Sequence, residues 1–99
     1  MHGEYKMPRG KLVVVDFDVV GDVIHNVRIT GDFFLYPEDA LAALVSGLEG
    51  APASAGVDTY RELVAHAVPE GTEMVGFSPE GIAIATVRAQ EDAHQEVTQ

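Results

Sequence analysis

The side chains that could do chemistry in this chain are few, and the densest group is cationic. Lys6, Arg9 and Lys11 stand within six positions and supply half of the six basic residues. Ammonium and guanidinium groups gathered this way suit the stabilisation of an anion, or of negative charge that develops during a reaction. The same cluster also reads as an arm that is merely solvated, or that pairs with the acidic surface of its own domain. Elsewhere the candidates are dispersed. Among His2, His25, His66 and His94, only His66 has a carboxylate one helical turn away, Glu62, and two such ligands cannot close a zinc site. His25 falls at a strand end, and His2 and His94 lie in segments that read as tails. Asp16 and Asp18 share one face of an extended segment, as a glycosidase pair could, but a solubilising strand face accounts for them. The chain contains no GxSxG, GxxxxGK[ST], GxGxxG or HExxH motif. With no cysteine, disulfides, thiolate metal sites and cysteine nucleophiles are excluded.

Charge narrows the partners further. The 99 residues carry a net charge of −10, yet residues 1–11 hold three cations against Glu4 alone, so residues 12–99 carry the whole acidic excess. A bulk surface of that sign does not neutralise phosphates, which argues against nucleic acid and anionic membrane as partners. Residues 1–11 lack the apolar run of a secretion leader, and no stretch approaches the ~18 apolar residues of a spanning helix. The expected location is cytoplasmic. At this length the chain reads as one domain over residues 1–99, ordered over about 4–90, with 91–99 a flexible polar tail.

The elements that position these residues follow from periodicity. In Leu12–Val20 the odd positions Val13, Val15, Phe17 and Val19 are apolar while Asp16 and Asp18 face the other way, the pattern of a strand with one wet face. Val23–Thr30 alternates similarly, and Gly21-Asp22 between them signals a hairpin. A strict two-residue loop would set Val15 opposite Arg28 and Phe17 opposite Asn26, mixing faces. An odd-length loop or a bulge is therefore required, giving Val15–Ile29, Phe17–Val27 and an exposed Asp16–Arg28 ion pair.

Phe33-Phe34-Leu35-Tyr36 is a short third strand or an extended lead-in to a helix, halted by Pro37. Three aromatics in four positions cannot all face one core, so at least one lies at the surface, where it marks an interface or simply packs at the core's edge. Pro37 suits a first helical turn, with Glu38 and Asp39 complementing the dipole. Leu41, Leu44, Val45 and Leu48 form a helical stripe ending near Gly50. Asp58 can cap a second helix with stripe Tyr60, Leu63, Val64 and Ala67, ending at Pro69-Glu70-Gly71. Met74, Val75 and Phe77 are too few to classify. Ser78-Pro79-Glu80 opens a third helix to about Gln90, with a strand as the competing reading because Ile82, Ile84 and Thr86 alternate.

Three segments taken together, EYKMPRGKLVVVDFDV at 4–19, ITGDFFLYPEDAL at 29–41 and GFSPEGI at 76–82, resemble the C-terminal accessory domain of lipoate-protein ligase A. The free-standing length makes the chain similar to the separately encoded small subunit of a bipartite ligase. Tyr5, Lys6, Pro8, Gly10, Lys11 and Leu12 match one family motif. Gly31, Asp32, Phe33, Phe34 and Pro37 match another. Arg9 stands where the family usually has a second glycine.

The resemblance implies an α+β fold, in which a small antiparallel sheet, the N-terminal hairpin plus the short third strand, is packed by about three helices, in the manner of SufE and NifU scaffolds. It also implies a helper subunit with no cofactor of its own. The large catalytic subunit would bind ATP, magnesium and lipoate, form lipoyl-adenylate and transfer the lipoyl group to a lipoyl domain, which this chain would meet only indirectly. Lys6, Arg9, Gly10, Lys11, Gly31, Asp32, Phe33, Phe34 and Tyr36 are the residues expected to meet the partner or assist activation. The alternative function is a protein-binding adaptor that takes no part in nucleotide chemistry.

Overall fold

Residues that alternate with a period of two form the sheet, and residues with helical spacing form the layer behind it. In the computed structural model, which describes residues 1–8, 11–32, 34–37 and 39–97 (the last six as helical backbone only), the elements are β1 (His2–Lys6), β2 (Leu12–Val20), β3 (Val23–Gly31), β4 (Phe34–Tyr36), α1 (Ala40–Leu48), α2 (Val57–Ala67), β5 (Glu73–Val75) and α3 (Pro79–Val97). The α+β class expected from the sequence holds.

The hairpin resolves its register problem with a bulge. Gly21 and Asp22 have φ of 59° and 67°, the left-handed pair of a two-residue type I′ turn. From that turn the ladder runs Val20–Val23, Val19–Ile24 and Asp18–His25. It then shifts between Asp18 and Asp16, so that Asp16 faces Arg28, Val15 faces Ile29 and Val13 faces Gly31. Phe17 sits at the bulge, opposite Asn26 and Val27 together rather than paired singly with Val27 as the alternation predicts. Asn26 has φ 57°, which releases backbone amides from the ladder. The Glu49 carboxylate at the end of α1 accepts from the Asn26 amide at 3.1 Å and the Val27 amide at 2.8 Å. The Asp16–Arg28 register is as expected, but the ion pair does not form. Arg28 donates instead to the Asn26 carbonyl.

The third strand of this sheet is β1, which pairs with β2 in the order β1-β2-β3. The expected third strand, at 33–36, forms as β4 but joins a separate two-stranded ribbon with β5. Pairing of three residues with three is decided by where the loops bring them, and local propensity carries no such information. β1 contributes no β-branched residue; it is placed by α3. A Cβ on Gly3 would collide with the Ala85 carbonyl and the Ala89 amide. Glycine therefore lets strand and helix backbones touch.

In α3, Ile82, Ala85, Thr86 and Ala89 are all buried, an i, i+3, i+4, i+7 stripe that settles helix against strand. The buried Thr86 hydroxyl donates to the Ile82 carbonyl at 2.8 Å. The helix runs on to Val97, past the Gln90 boundary set by composition. It packs on β1 and β2, α2 packs on α3, and α1 packs on α2 and β3. Two helix starts differ from expectation. Pro37 and Asp39 precede α1 instead of lying in its first turn, with Glu38 outside the described residues. The cap of α2 is Gly56, and Asp58 sits inside the first turn, 3.2 Å from Arg61. The core gathers Val13, Val15 and Phe17 from β2, Ile24 from β3, Leu44 and Leu48 from α1, Tyr60 and Val64 from α2, and Ile82 from α3, all fully buried.

Phe17→Ala should lower stability by about 3–5 kcal/mol, the range for a buried phenylalanine, read from the denaturant midpoint. Glu49→Ala should cost about 1 kcal/mol through the two amides it leaves to water. An unchanged midpoint for either variant would contradict the role given to that residue.

Candidate functional site

The three family-like segments, distant in sequence, meet at one end of the molecule. The first folds as β1, a loop and the start of β2, with Lys6 paired to Leu12 and the Met7 amide donating to the Lys11 carbonyl at 2.6 Å. The second returns along β3, sets Gly31 opposite Val13, and ties in through the Asp32 amide, which donates to the Leu12 carbonyl at 3.1 Å. The third leads into α3, whose first turn is capped by the Ser78 hydroxyl accepting from the Gly81 amide at 3.1 Å.

Glycines make these approaches possible. Gly76 has φ +87°, and a Cβ there would lie 2.9 Å from Lys11 Cγ. The aliphatic stem of Lys11 is thus laid along the glycine backbone while the residue as a whole stays exposed. Gly81 leaves room in the same way for the Met7 thioether. Met7, Pro8, Gly76 and Phe77 line a cleft of about 280 Å³.

Each expected site residue can now be placed. Lys6 and Lys11 are exposed and flank the loop between β1 and β2. Gly31 ends β3 beside it and Asp32 follows directly. Phe34 and Tyr36 are 58% and 51% exposed on β4, as the crowding of aromatics predicts. Arg9, Gly10 and Phe33 lie outside the described residues. Sequence reasoning did not single out Val75, which is 43% exposed and directly opposite Phe34, nor the cleft residues Met7, Gly76 and Phe77. The apolar triplet at 74–77 was the available signal, too short to be read as a strand without its partner.

A second cluster was not foreseen. His2 is not in a tail but in β1, where its ring bridges two carboxylates: Nε2 to Glu4 at 2.6 Å and Nδ1 to Asp16 at 2.7 Å. Both ring nitrogens can donate only in the imidazolium form. The hydrogen bond to Glu4, then that to Asp16, accordingly raises the His2 pKa above its ordinary 6.5. With both nitrogens turned to carboxylates, the cluster is an ion-pair bridge between β1 and β2 and not a ligand set. Among the described residues, no group of three or more His, Asp or Glu is placed to hold a metal ion. Inside the fold, burial raises the Tyr60 pKa; its hydroxyl donates to the Pro52 carbonyl and accepts from Gln90.

Fold and site together define a small α+β domain with a cation-bearing loop, an apolar cleft and an exposed aromatic ribbon at one end. No family model matches the chain. It is similar to lipoate-protein ligase A subunit 2 of Thermoplasma acidophilum, 29% identical over 76 residues that make up 77% of this chain and 76% of that one. It also matches a chain from a solved archaeal lipoylation system of the same organism, a bi-partite lipoate protein ligase and its E2 lipoyl domain. There the TM-score is 0.60 and the identity 29%, covering 87% of this chain and 97% of that one. The resemblance read from the three segments, to the small subunit of a bipartite lipoate-protein ligase, therefore holds. No helix among the described residues is long and apolar enough to cross a membrane.

The raised His2 pKa fixes the sign of one pH effect. The folded state favours protonated His2, so the bridge contributes fully below pH 6.5, the ordinary value, and its contribution disappears as pH rises through the higher folded value. Denaturation midpoints of the wild type and His2→Ala should therefore differ at about pH 5 and converge as pH rises above the folded value. A gap that widened with pH would refute the bridge.

Proposed function

We propose that this chain is the accessory, non-catalytic subunit of a bipartite lipoate-protein ligase, assisting a large catalytic subunit in the ATP-dependent activation of lipoate to lipoyl-adenylate. The observation that carries this reading is the similarity along most of both chains to the small subunit of such a ligase, together with the meeting of the three similar segments at one end of the fold. ATP, magnesium and lipoate belong on the catalytic subunit in this reading, and the lipoyl domain meets this chain only through that complex. The setting is the cytoplasm, without membrane or nucleic acid.

The chemistry left to this chain is electrostatic. Adenylation brings a carboxylate up to a polyphosphate, and negative charge shifts onto the departing pyrophosphate. Lys6, Arg9 and Lys11 are the cations available for that task. Among them, Lys11 has its stem directed by Gly76 and its carbonyl held by the Met7 amide. Gly31 and Asp32 form the backbone frame of that end, through the Val13–Gly31 pairing and the Asp32–Leu12 bond. The proposal assigns Lys6 and Lys11 contact with the catalytic subunit or with the anionic groups it binds.

Pyrophosphate release from ATP and lipoate should require both chains, with this chain inactive alone. Lys11→Ala should lower the rate at saturating accessory chain about tenfold to a hundredfold, the equivalent of one charge-assisted contact of about 1.5–3 kcal/mol. The fold should be unaffected. Robust ATP turnover by this chain alone would overturn the accessory role. Tight assembly with no effect on rate would favour an adaptor instead.

A further inference from the structure

Among the described residues four large hydrophobic side chains are exposed, and three of them, Phe34, Tyr36 and Val75, sit on the ribbon of β4 and β5. Phe34 and Val75 are direct cross-strand partners, while Leu35, the neighbour between the two aromatics, is buried. The ribbon therefore turns one apolar face to the core and a second one outward, although two strands need only one buried face to hold them. Its edges differ from those of the larger sheet as well. There the β3 edge is engaged by Ile24 with Gly50 and Ala51, and by the amides that Glu49 grips. α3 packs on the face of β1 at Gly3, and its Arg88 donates to the Glu4 carbonyl of that strand at 3.0 Å. Among the described residues the ribbon has no third strand.

The charges around this face state what fits it. Asp32 and Asp39 are exposed in the segments just before and after β4 and Glu73 is directly opposite Tyr36, with Lys11 reaching in along Gly76, on a chain whose net charge is −10. A second copy of the chain would bring the same acidic rim against itself, whereas an apolar socket edged with Lys and Arg would complement it.

Resting on the accessory-subunit reading, we infer that the outward face of the β4–β5 ribbon, Phe34, Tyr36 and Val75 within their acidic rim, is the docking surface for the catalytic subunit, which meets it with a basic-rimmed apolar socket. The basic loop at the same end is then left free of the docking task. Assembly and chemistry fall to separate, adjoining faces.

The test titrates the catalytic chain of the organism's own ligase with the full-length chain by calorimetry. The Phe34→Ser/Val75→Ser double variant should bind at least a hundredfold more weakly than wild type. Val20→Ser should bind as wild type; it removes the fourth exposed hydrophobic side chain, at the far end of β2, about 26 Å from Leu12 at the usual strand rise. Glu73→Lys should weaken binding several-fold at low salt and less at high salt. Hydrogen exchange on the wild-type chain covers the case in which the double variant does not fold. Adding the catalytic chain should protect the amides of 34–36 and 73–75, and protection confined to residues 1–11 would overturn the proposal. Wild-type affinity in the folded double variant would overturn the surface and leave the accessory role standing. No binding by the wild type would overturn the accessory role itself. A wild-type dimer in sedimentation that the double variant abolishes would make the occupant a second copy and reject the assignment.

Discussion

The extra residue in β3 at Asn26–Val27 is the constraint on which the rest of the structure depends. Because side chains alternate strictly along a strand, the register fixed by the Gly21-Asp22 turn would, if carried unbroken, set Val15 against Arg28 and Val13 against Thr30. One bulged residue returns Val13, Val15, Ile29 and Val27 to a common buried face. The cost is backbone amides freed from the ladder, which Glu49 takes up from outside the sheet. This contact also pins the end of α1 to β3, so the helix layer and the sheet are registered by the same carboxylate. Further along, the shift decides where β3 stops: Gly31 arrives opposite Val13, Asp32 bonds to Leu12, and β4 departs from that point. The end of the molecule that carries the candidate site is thus placed by a bulge roughly 15 Å away along the strand.

The parts legible in the sequence were those whose cause is local. Alternation over nine residues in β2, the conflict between that alternation and a two-residue turn, and the helical stripes of α1 and α2 all follow from periodicity. The exposure of Phe34 and Tyr36 follows from parity within a strand. What escaped was set by distance. HGEYK reads as a tail because its strand identity comes from α3 pressing on Gly3, a contact between residues more than eighty positions apart. The partner of β4 could not be read because β5 is three residues long, and the His2 bridge could not be seen before β1 was known to lie beside Asp16. As for the site, Lys6 and Lys11 stand out as charges in an acidic chain, whereas Gly31 and Asp32 were marked by resemblance alone. Val75 showed only as part of a short apolar triplet, and its position facing Phe34 could not be read from that.

Ionic groups divide between the two ends of β1. At its start, His2 lies between Glu4 and Asp16 and spends its charge within the domain. At its end, Lys6 and Lys11 flank the loop with exposed heads and form no ion pair with a described carboxylate. In a chain so rich in acid, that separation is informative. Carboxylates near enough to neutralise the arm would have been easy to supply, and those closest in sequence, Glu4 and Asp16, are engaged by His2.

The glycines explain how such a small domain can hold a cation in place. A lysine head on a free four-carbon stem loses most of its electrostatic benefit to the entropy of being located. Here the first carbons of the Lys11 stem lie on Gly76, where any Cβ would intrude, and the loop behind is closed by the Met7–Lys11 backbone bond. In the proposed role, only the outer part of the side chain would remain to be ordered against an anion, which lowers the cost of such a contact. Gly76 in turn directly follows Val75, so the residue that steers the lysine is joined to the exposed ribbon by one peptide bond.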